Sequence, residues 1–175
     1  MPTPHYRTLV AKADAFFERV SQRHGAEMEC QTGCSDCCHA RLTITGVEAA
    51  AVRLHLATLS SELRTSLAAR AATRDPRCPA LDAEGRCDLY AARPLVCRTH
   101  GAPIRLPEAA RRLPVVQSCH RNFRHGASDP RLGADTDCVL DQETMSTMLA
   151  AVDADHAARV GRSVARVALS AILTE

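Results

Sequence analysis

The chain has 175 residues, a formal net charge of +2 and five aromatic side chains, two Tyr and three Phe with no Trp. That length suits one domain with a buried core and excludes an enzyme barrel carrying a second domain. Near-balanced charge, arginines spread along the sequence and few rings for base stacking argue against nucleic acid as a partner.

From Pro4 to Met28 the apolar residues Leu9, Val10, Ala13, Phe16, Phe17 and Val20 recur at helical spacing. They predict an amphipathic helix over 4–28, capped by Thr3 and ended near Gly25. A cysteine block over 30–38 follows. Arg41 to Thr45 reads as extended, and Thr45 with Glu48 forms a capping box that opens a helix bearing Val47, Ala50, Leu54 and Ala57. Ser60 and Ser61 cap a third helix holding Leu63 and Leu67, so helices fill 46–73 and stop before Asp75-Pro76.

Between Pro76 and Pro130 lie seven of the nine prolines and four of the nine cysteines, and no helical period survives. The expectation is a second cysteine block over 78–98 and an irregular segment over 99–140, with coordinate bonds to a metal replacing hydrogen-bonded ladders. From Asp141 to Leu173 the residues Met145, Met148, Leu149, Val152, Val160, Val164, Val167 and Ile172 trace one helical face, with a break at Gly161. These are the closing helices over 141–173. His156 on that face reads as a satisfied core residue, and the two methionines as packing rather than a copper site. The fold class expected is mostly α: a small helical single domain over 1–175 with an irregular Cys/Pro-rich segment and a short β-hairpin, organised by a metal or iron–sulfur centre.

The chemistry lies in the cysteines. Four of the nine residues from Cys30 to Cys38 are thiols: Cys30, Cys34, Cys37 and Cys38. Packing would be served by Leu, Val or Ala, whereas several thiolates close together need a soft cation to offset their repulsion. In the second block Cys78 and Cys87 flank Ala83-Glu84-Gly85, a turn that lets the segments around Leu81 and Leu89 pair as a hairpin, and Cys97 follows Pro94. Cys119, beside His120, is an eighth donor. Eight exceed one tetrahedral ion, so either two mononuclear sites share them or one cluster takes four. Adjacent Cys37 and Cys38 cannot point the same way on a helix or strand, which suits opposite sides of a polynuclear centre. His39, His100 and His120 each lie within three residues of a cysteine and would give mixed Cys/His ligation, or stand as exposed loop residues. Cys138 reads as a small buried residue, Arg93 as a structural cation near the thiolates, and Tyr90 as a wall.

These two blocks, Cys30, Gly33-Cys34 and Cys37-Cys38, then Cys78, Leu81, Gly85, Cys87, Leu89-Tyr90, Arg93-Pro94 and Cys97-Arg98, resemble the YkgJ-like CxxCxxCC family. The chain departs from the pattern in placing three residues, not two, between Cys30 and Cys34. The resemblance implies chelation of zinc or iron by these thiols, as an ion or as a 4Fe–4S or other iron–sulfur cluster.

No signal-peptide core follows Met1 and no apolar run reaches the length of a membrane span, so a cytoplasmic protein without a membrane partner is expected. Nine cysteines in a reducing compartment read as thiols rather than disulfides. The leading function is a cysteine-cluster metal-binding protein in metal handling, redox or an accessory role to a protein partner. One alternative is an iron–sulfur or zinc-dependent enzyme modifying a protein or small molecule; another is an interaction domain with purely structural zinc. Cys30, Cys34 and Cys37 reproduce the thiol spacing of radical S-adenosylmethionine enzymes, but the chain lacks the alternating strands and helices of their barrel. Phosphate loops, nucleophile elbows and His-Glu-x-x-His motifs are absent from the sequence, leaving hydrolytic and nucleotide chemistry unsupported.

Overall fold

Thr3 caps the first helix, α1 (Pro4–His24), accepting a 3.2 Å hydrogen bond from the Tyr6 amide. Thr3, Tyr6, Leu9, Ala13, Phe16, Val20 and His24 are buried, a stripe of three- and four-residue steps along one face. The helix ends at His24, beside the Gly25 expected to stop it and short of the full 4–28 span, where a 3-10 turn, Gly25–Glu27, takes over. Gly is a poor helix interior residue, and tightening to 3-10 geometry is a common way for a last turn to close. This computed structural model describes residues 1–73, 75–106, 115–124, 135–161 and 165–175. They divide into two units: Met1–Arg7, Thr32–Pro94 and Val152–Glu175 in the first, and Thr8–Gln31 and Leu95–Ala151 in the second.

In the first unit β1 (Thr43–Ile44) leads into α2 (Gly46–Leu56) through the expected capping box, with the Thr45 amide donating to Glu48 at 2.9 Å. The Val47 amide donates to Asp153 at 2.7 Å, satisfying another of the orphan donors in the first turn. Ser60 caps α3 (Ser61–Ala71) by accepting from the Leu63 amide at 3.3 Å. Near the C-terminus β5 (Val167–Ala168) pairs antiparallel with β1, Thr43 opposite Ala168 and Ile44 opposite Val167, and feeds α6 (Leu169–Leu173). The core joins Ile44, Ala49, Val52, Leu67, Ala71, Leu169, Ile172 and Leu173 with Ala80 and Leu89 from the second cysteine block, and Cys78 and Cys87 pack against it. Burying Ala80 and Leu89 anchors an otherwise irregular loop, so Cys87 between them and Cys78 just before them inherit a fixed backbone.

In the second unit α4 (Leu95–Thr99) follows Pro94, and its Arg98 is buried, donating from Nη1 to both carboxylate oxygens of Asp14 at 2.8 and 2.9 Å. Three short strands form one sheet in the order β3–β2–β4. β2 (Ile104–Leu106) pairs antiparallel with β3 (Val115–Gln117), Arg105 opposite Val116, and parallel with β4 (Leu140–Asp141), Ile104 opposite Leu140. The core here is Phe16, Val20, Ala102, Phe123 and Cys138, flanked by Phe17, Met28 and Leu140.

α5 (Gln142–Val160) ends at Gly161, which takes a φ of 71° as the predicted break requires. Its apolar face is shallower than the sequence suggests: among its residues His156 alone is buried, while Met148 and Val160 are exposed. His156 is buried as predicted but its Nδ1 lacks a hydrogen-bond partner, so it is not the satisfied residue expected. The sheet β3–β2–β4 is a second departure, since 99–140 was expected to be irregular throughout; strands this short carry no readable alternation. Val164 and the stretches 107–114 and 125–134 lie outside the described residues. No helix among the described residues is long and apolar enough to cross a membrane.

Candidate metal centre

The first cysteine block is built by turns. Asp36–Cys38 forms a 3-10 turn closed by the Cys38 amide donating to the Ser35 carbonyl at 2.8 Å. This turn changes what adjacent cysteines can do. Cys37 Sγ and Cys38 Sγ lie 3.9 Å apart, on the same side, contrary to the expectation that neighbours serve opposite sides of a centre. That expectation holds for a strand, where side chains alternate, and fails for a tight turn. Two sulfurs on one tetrahedral zinc, with bonds of about 2.3 Å, sit about 3.8 Å apart, so the observed pair already has the spacing of one coordination edge.

The second block closes onto the first. The Cys78 amide donates to the Cys38 carbonyl at 2.6 Å. The tip of the hairpin does the same from the other end: a Cβ on Gly85, whose φ is 76°, would lie 3.1 Å from the Gly33 carbonyl oxygen and 3.3 Å from Ser35 Oγ. The segments around Leu81 and Leu89 pair as predicted, with Leu81 opposite Cys87. The Asp82 amide donates to the Arg86 carbonyl at 2.9 Å and the Asp88 amide to the Ala80 carbonyl at 2.8 Å. Asp82 Oδ1 accepts from the Glu84 and Arg86 amides at 3.0 and 2.7 Å, which fixes the short turn and frees Leu89 to enter the core. Arg70 ties the two flanks together, donating to the Pro79 carbonyl at 2.8 Å and to Asp88 at 2.5 Å.

Electrostatics connect the sulfurs further. Burial pushes the Cys78 thiol up from its ordinary value, and the nearby Cys37 sulfur adds to the rise. Cys87 is pushed up to about 11, by burial first and also by Cys78. Metal-free, these groups hold their protons at neutral pH; a divalent cation reverses both causes by replacing the protons and neutralising thiolate repulsion. The donor set therefore fits a thiophilic ion such as zinc or iron. Cys34 is half-buried on the same loop. Arg93 stacks on the Tyr90 ring at 4.0 Å and its charge pulls the Cys87 thiol downward, as expected of a cation near the thiolates, whereas Tyr90 is 62% exposed and is not the wall expected from sequence.

The remaining predicted ligands, Cys30, Cys97 and Cys119, belong to the second unit. There Asn122, buried, donates through Nδ2 to Cys30 Sγ at 3.2 Å and to the Gly101 carbonyl at 2.8 Å, while its Oδ1 accepts from the Glu29 amide at 2.9 Å. His39, His100 and His120 are exposed. Among the described residues, one group of three His, Cys, Asp or Glu side chains brings its ligand atoms within 4.8 Å of one another, and it is not drawn from either cysteine block: His24, Asp135 and Cys138. Cys138 is buried, as predicted, in the apolar core with Phe16 and Phe123, and its thiol also meets the Asp135 carboxylate. Hydrogen bonds from His24, then Cys138 and Arg23, hold the Asp135 carboxyl down at about 2, and the His24 Nε2 to Asp135 Oδ2 distance is 3.0 Å. One signal for His24 was available in the sequence, since it continues the α1 stripe four residues beyond Val20; no local pattern announces Asp135.

Neither a curated protein nor a solved structure matches this chain. A family model does match, over residues 29–124, more than half of the chain and spanning both cysteine blocks; its description is CxxCxxCC, "Putative zinc- or iron-chelating domain". With that span and with the thiols of Cys37, Cys38, Cys78 and Cys87 gathered by one loop system, the chain belongs to the CxxCxxCC family of zinc- or iron-chelating domains.

Proposed function

We propose that Cys34, Cys37, Cys38, Cys78 and Cys87 hold a zinc or iron centre and that the protein acts in metal handling, in the cytoplasm and with a protein partner. The observation that carries the reading is the 3.9 Å separation of Cys37 Sγ and Cys38 Sγ, one tetrahedral edge, on a turn whose carbonyl holds the Cys78 amide. Cys30, Cys97 and Cys119 are proposed as donors from the sequence pattern alone. Five thiols on one loop system exceed the four of a single ion, and this favours an iron–sulfur cluster with a redox role as the second reading.

Metal analysis with an absorption spectrum on protein purified without oxygen tests both. Zinc or iron retained by the wild type and lost on Cys37→Ser or Cys78→Ser supports the centre; acid-labile sulfide with absorption near about 400 nm selects the cluster. Colourless, zinc-loaded protein selects the mononuclear site. Unchanged metal content in both variants overturns the reading, and Cys30→Ser, Cys97→Ser and Cys119→Ser show which of the other thiols contribute.

A further inference from the structure

We propose that His24, Asp135 and Cys138 form a second metal site, for a divalent ion of zinc type, with a nitrogen, an oxygen and a sulfur donor. It does not rest on the thiol centre. The three ligand atoms lie within 4.8 Å of one another and come from two places in the second unit: the last residue of α1, and the 3-10 turn Thr136–Cys138 with Asp135 just before it. The donors are built in rather than displayed. Cys138 is 0% exposed and His24 7%, and the His24 ring is held edge-on against Phe123 with centroids 5.8 Å apart.

His24 faces Asp135 through Nε2 at 3.0 Å, yet its Nδ1 is buried with no hydrogen-bond partner. Coordination at Nε2 does not reach Nδ1, so the site rests on the closeness and burial of its donors. Metal-free, protons occupy the site: His24 and Cys138 both hydrogen-bond to the one carboxylate. An entering ion takes their place. The Cys138 thiol proton leaves to solvent as the sulfur–metal bond forms, and the imidazole gives up its Nε2 proton and carries one on Nδ1 instead, so one proton is released per ion. With bonds of about 2.1 Å on a tetrahedral ion, nitrogen and oxygen stand about 3.4 Å apart, within a small side-chain rotation of the 3.0 Å observed. Arg23 donates to the same carboxylate, at 3.0 and 3.3 Å from its two oxygens, and Asp137 at 3.7 Å from Arg23 balances that charge.

The test is metal counting on the full chain, zinc by mass and cobalt(II) by absorption, for the wild type, His24→Gln, Cys138→Ser and Cys37→Ser. Cys138→Ser is nearly isosteric and keeps a hydroxyl to bond Asp135, so circular dichroism should match the wild type. The expected result is one ion fewer per chain in His24→Gln and Cys138→Ser, with one cobalt-binding step weakened at least about 100-fold, the upper end for losing even an outer-shell partner. Wild-type count and affinity in both variants overturn the proposal. If either variant misfolds, cadmium-113 resonance of the wild type decides: a line from a mixed nitrogen, oxygen and sulfur site, distinct from any sulfur-rich one, supports the site, and its absence overturns it. Loss of one ion in His24→Gln with none lost in Cys37→Ser would sink the thiol centre while leaving this site standing.

Discussion

Replacing Gly85 by Ala separates the cost of a backbone conformation from the cost of opening the contact between the two cysteine blocks. An alanine held at a left-handed φ costs about 1–2 kcal/mol. Gly161 supplies the matched control in the same unit, with a φ of 71° against 76° at Gly85 and nothing within 4 Å of its would-be Cβ. At Gly85 the added carbon would meet the Gly33 carbonyl oxygen at 3.1 Å and Ser35 Oγ at 3.3 Å. One of these neighbours is backbone, so relief requires the loop carrying Cys34, Cys37 and Cys38 to give way. Overpacking of this kind costs about 1–3 kcal/mol, and the small overlap places Gly85→Ala near the lower bound. Both variants should lose about 1–2 kcal/mol in denaturant melts. Gly85→Ala should lose roughly 1 kcal/mol more and bind zinc 5- to 10-fold more weakly, as about 1.4 kcal/mol per tenfold dictates. Equal zinc affinity in the two variants, measured by competition with a chromophoric chelator, would refute the claim that the hairpin tip braces the first block.

Arg70→Met removes hydrogen bonds to the Pro79 carbonyl and to the Asp88 carboxylate beside Cys87. A loss of about 1.5–3 kcal/mol in urea melts is expected for a charged hydrogen bond of this kind, and a change under about 0.5 kcal/mol would contradict it. Leu67→Ala empties a fully buried position of the first core and should cost about 2–5 kcal/mol while leaving metal stoichiometry intact; altered stoichiometry would tie core and centre more closely than described. Thr45→Ala breaks the capping box of α2 and should cost about 0.5–2 kcal/mol in the same melts, with no loss at all counting against the box as a stabilising feature. The pair Arg53 and Glu175, 2.6 Å apart, holds the Glu175 carboxyl below the usual glutamate range. Its contribution, under about 1 kcal/mol for so exposed a pair, is present above the unfolded value of about 4.3 and fades as pH falls through the lower folded one. Glu175→Gln should therefore be less stable than wild type at neutral pH, with the difference shrinking as pH falls below the unfolded value; a difference that grows in acid would reverse the sign.

What the sequence made legible was local. Thr45 and Glu48 stand three residues apart and cap their own helix; Thr3, Ser60 and Gly161 act within one turn of themselves; the α1 stripe repeats every three or four residues. The cysteine blocks were legible for the same reason, since their improbability lies in short spacing. What escaped was non-local or conformational. The parallel pairing of Ile104 with Leu140 joins strands only two or three residues long, too short for alternation to register. Cys37 and Cys38 share a side because a 3-10 turn, not a helix or strand, carries them. His24 and Asp135 lie 111 residues apart in sequence, and nothing in either neighbourhood specifies the other.

X-ray absorption at the edge of the bound metal tests the central claim most directly, because it reads the donor atoms without relying on any substitution. For protein purified without oxygen, the account predicts a first shell dominated by sulfur at about 2.3 Å, with the nitrogen and oxygen of His24 and Asp135 as a lighter component near 2.1 Å. A first shell of oxygen and nitrogen alone would contradict it.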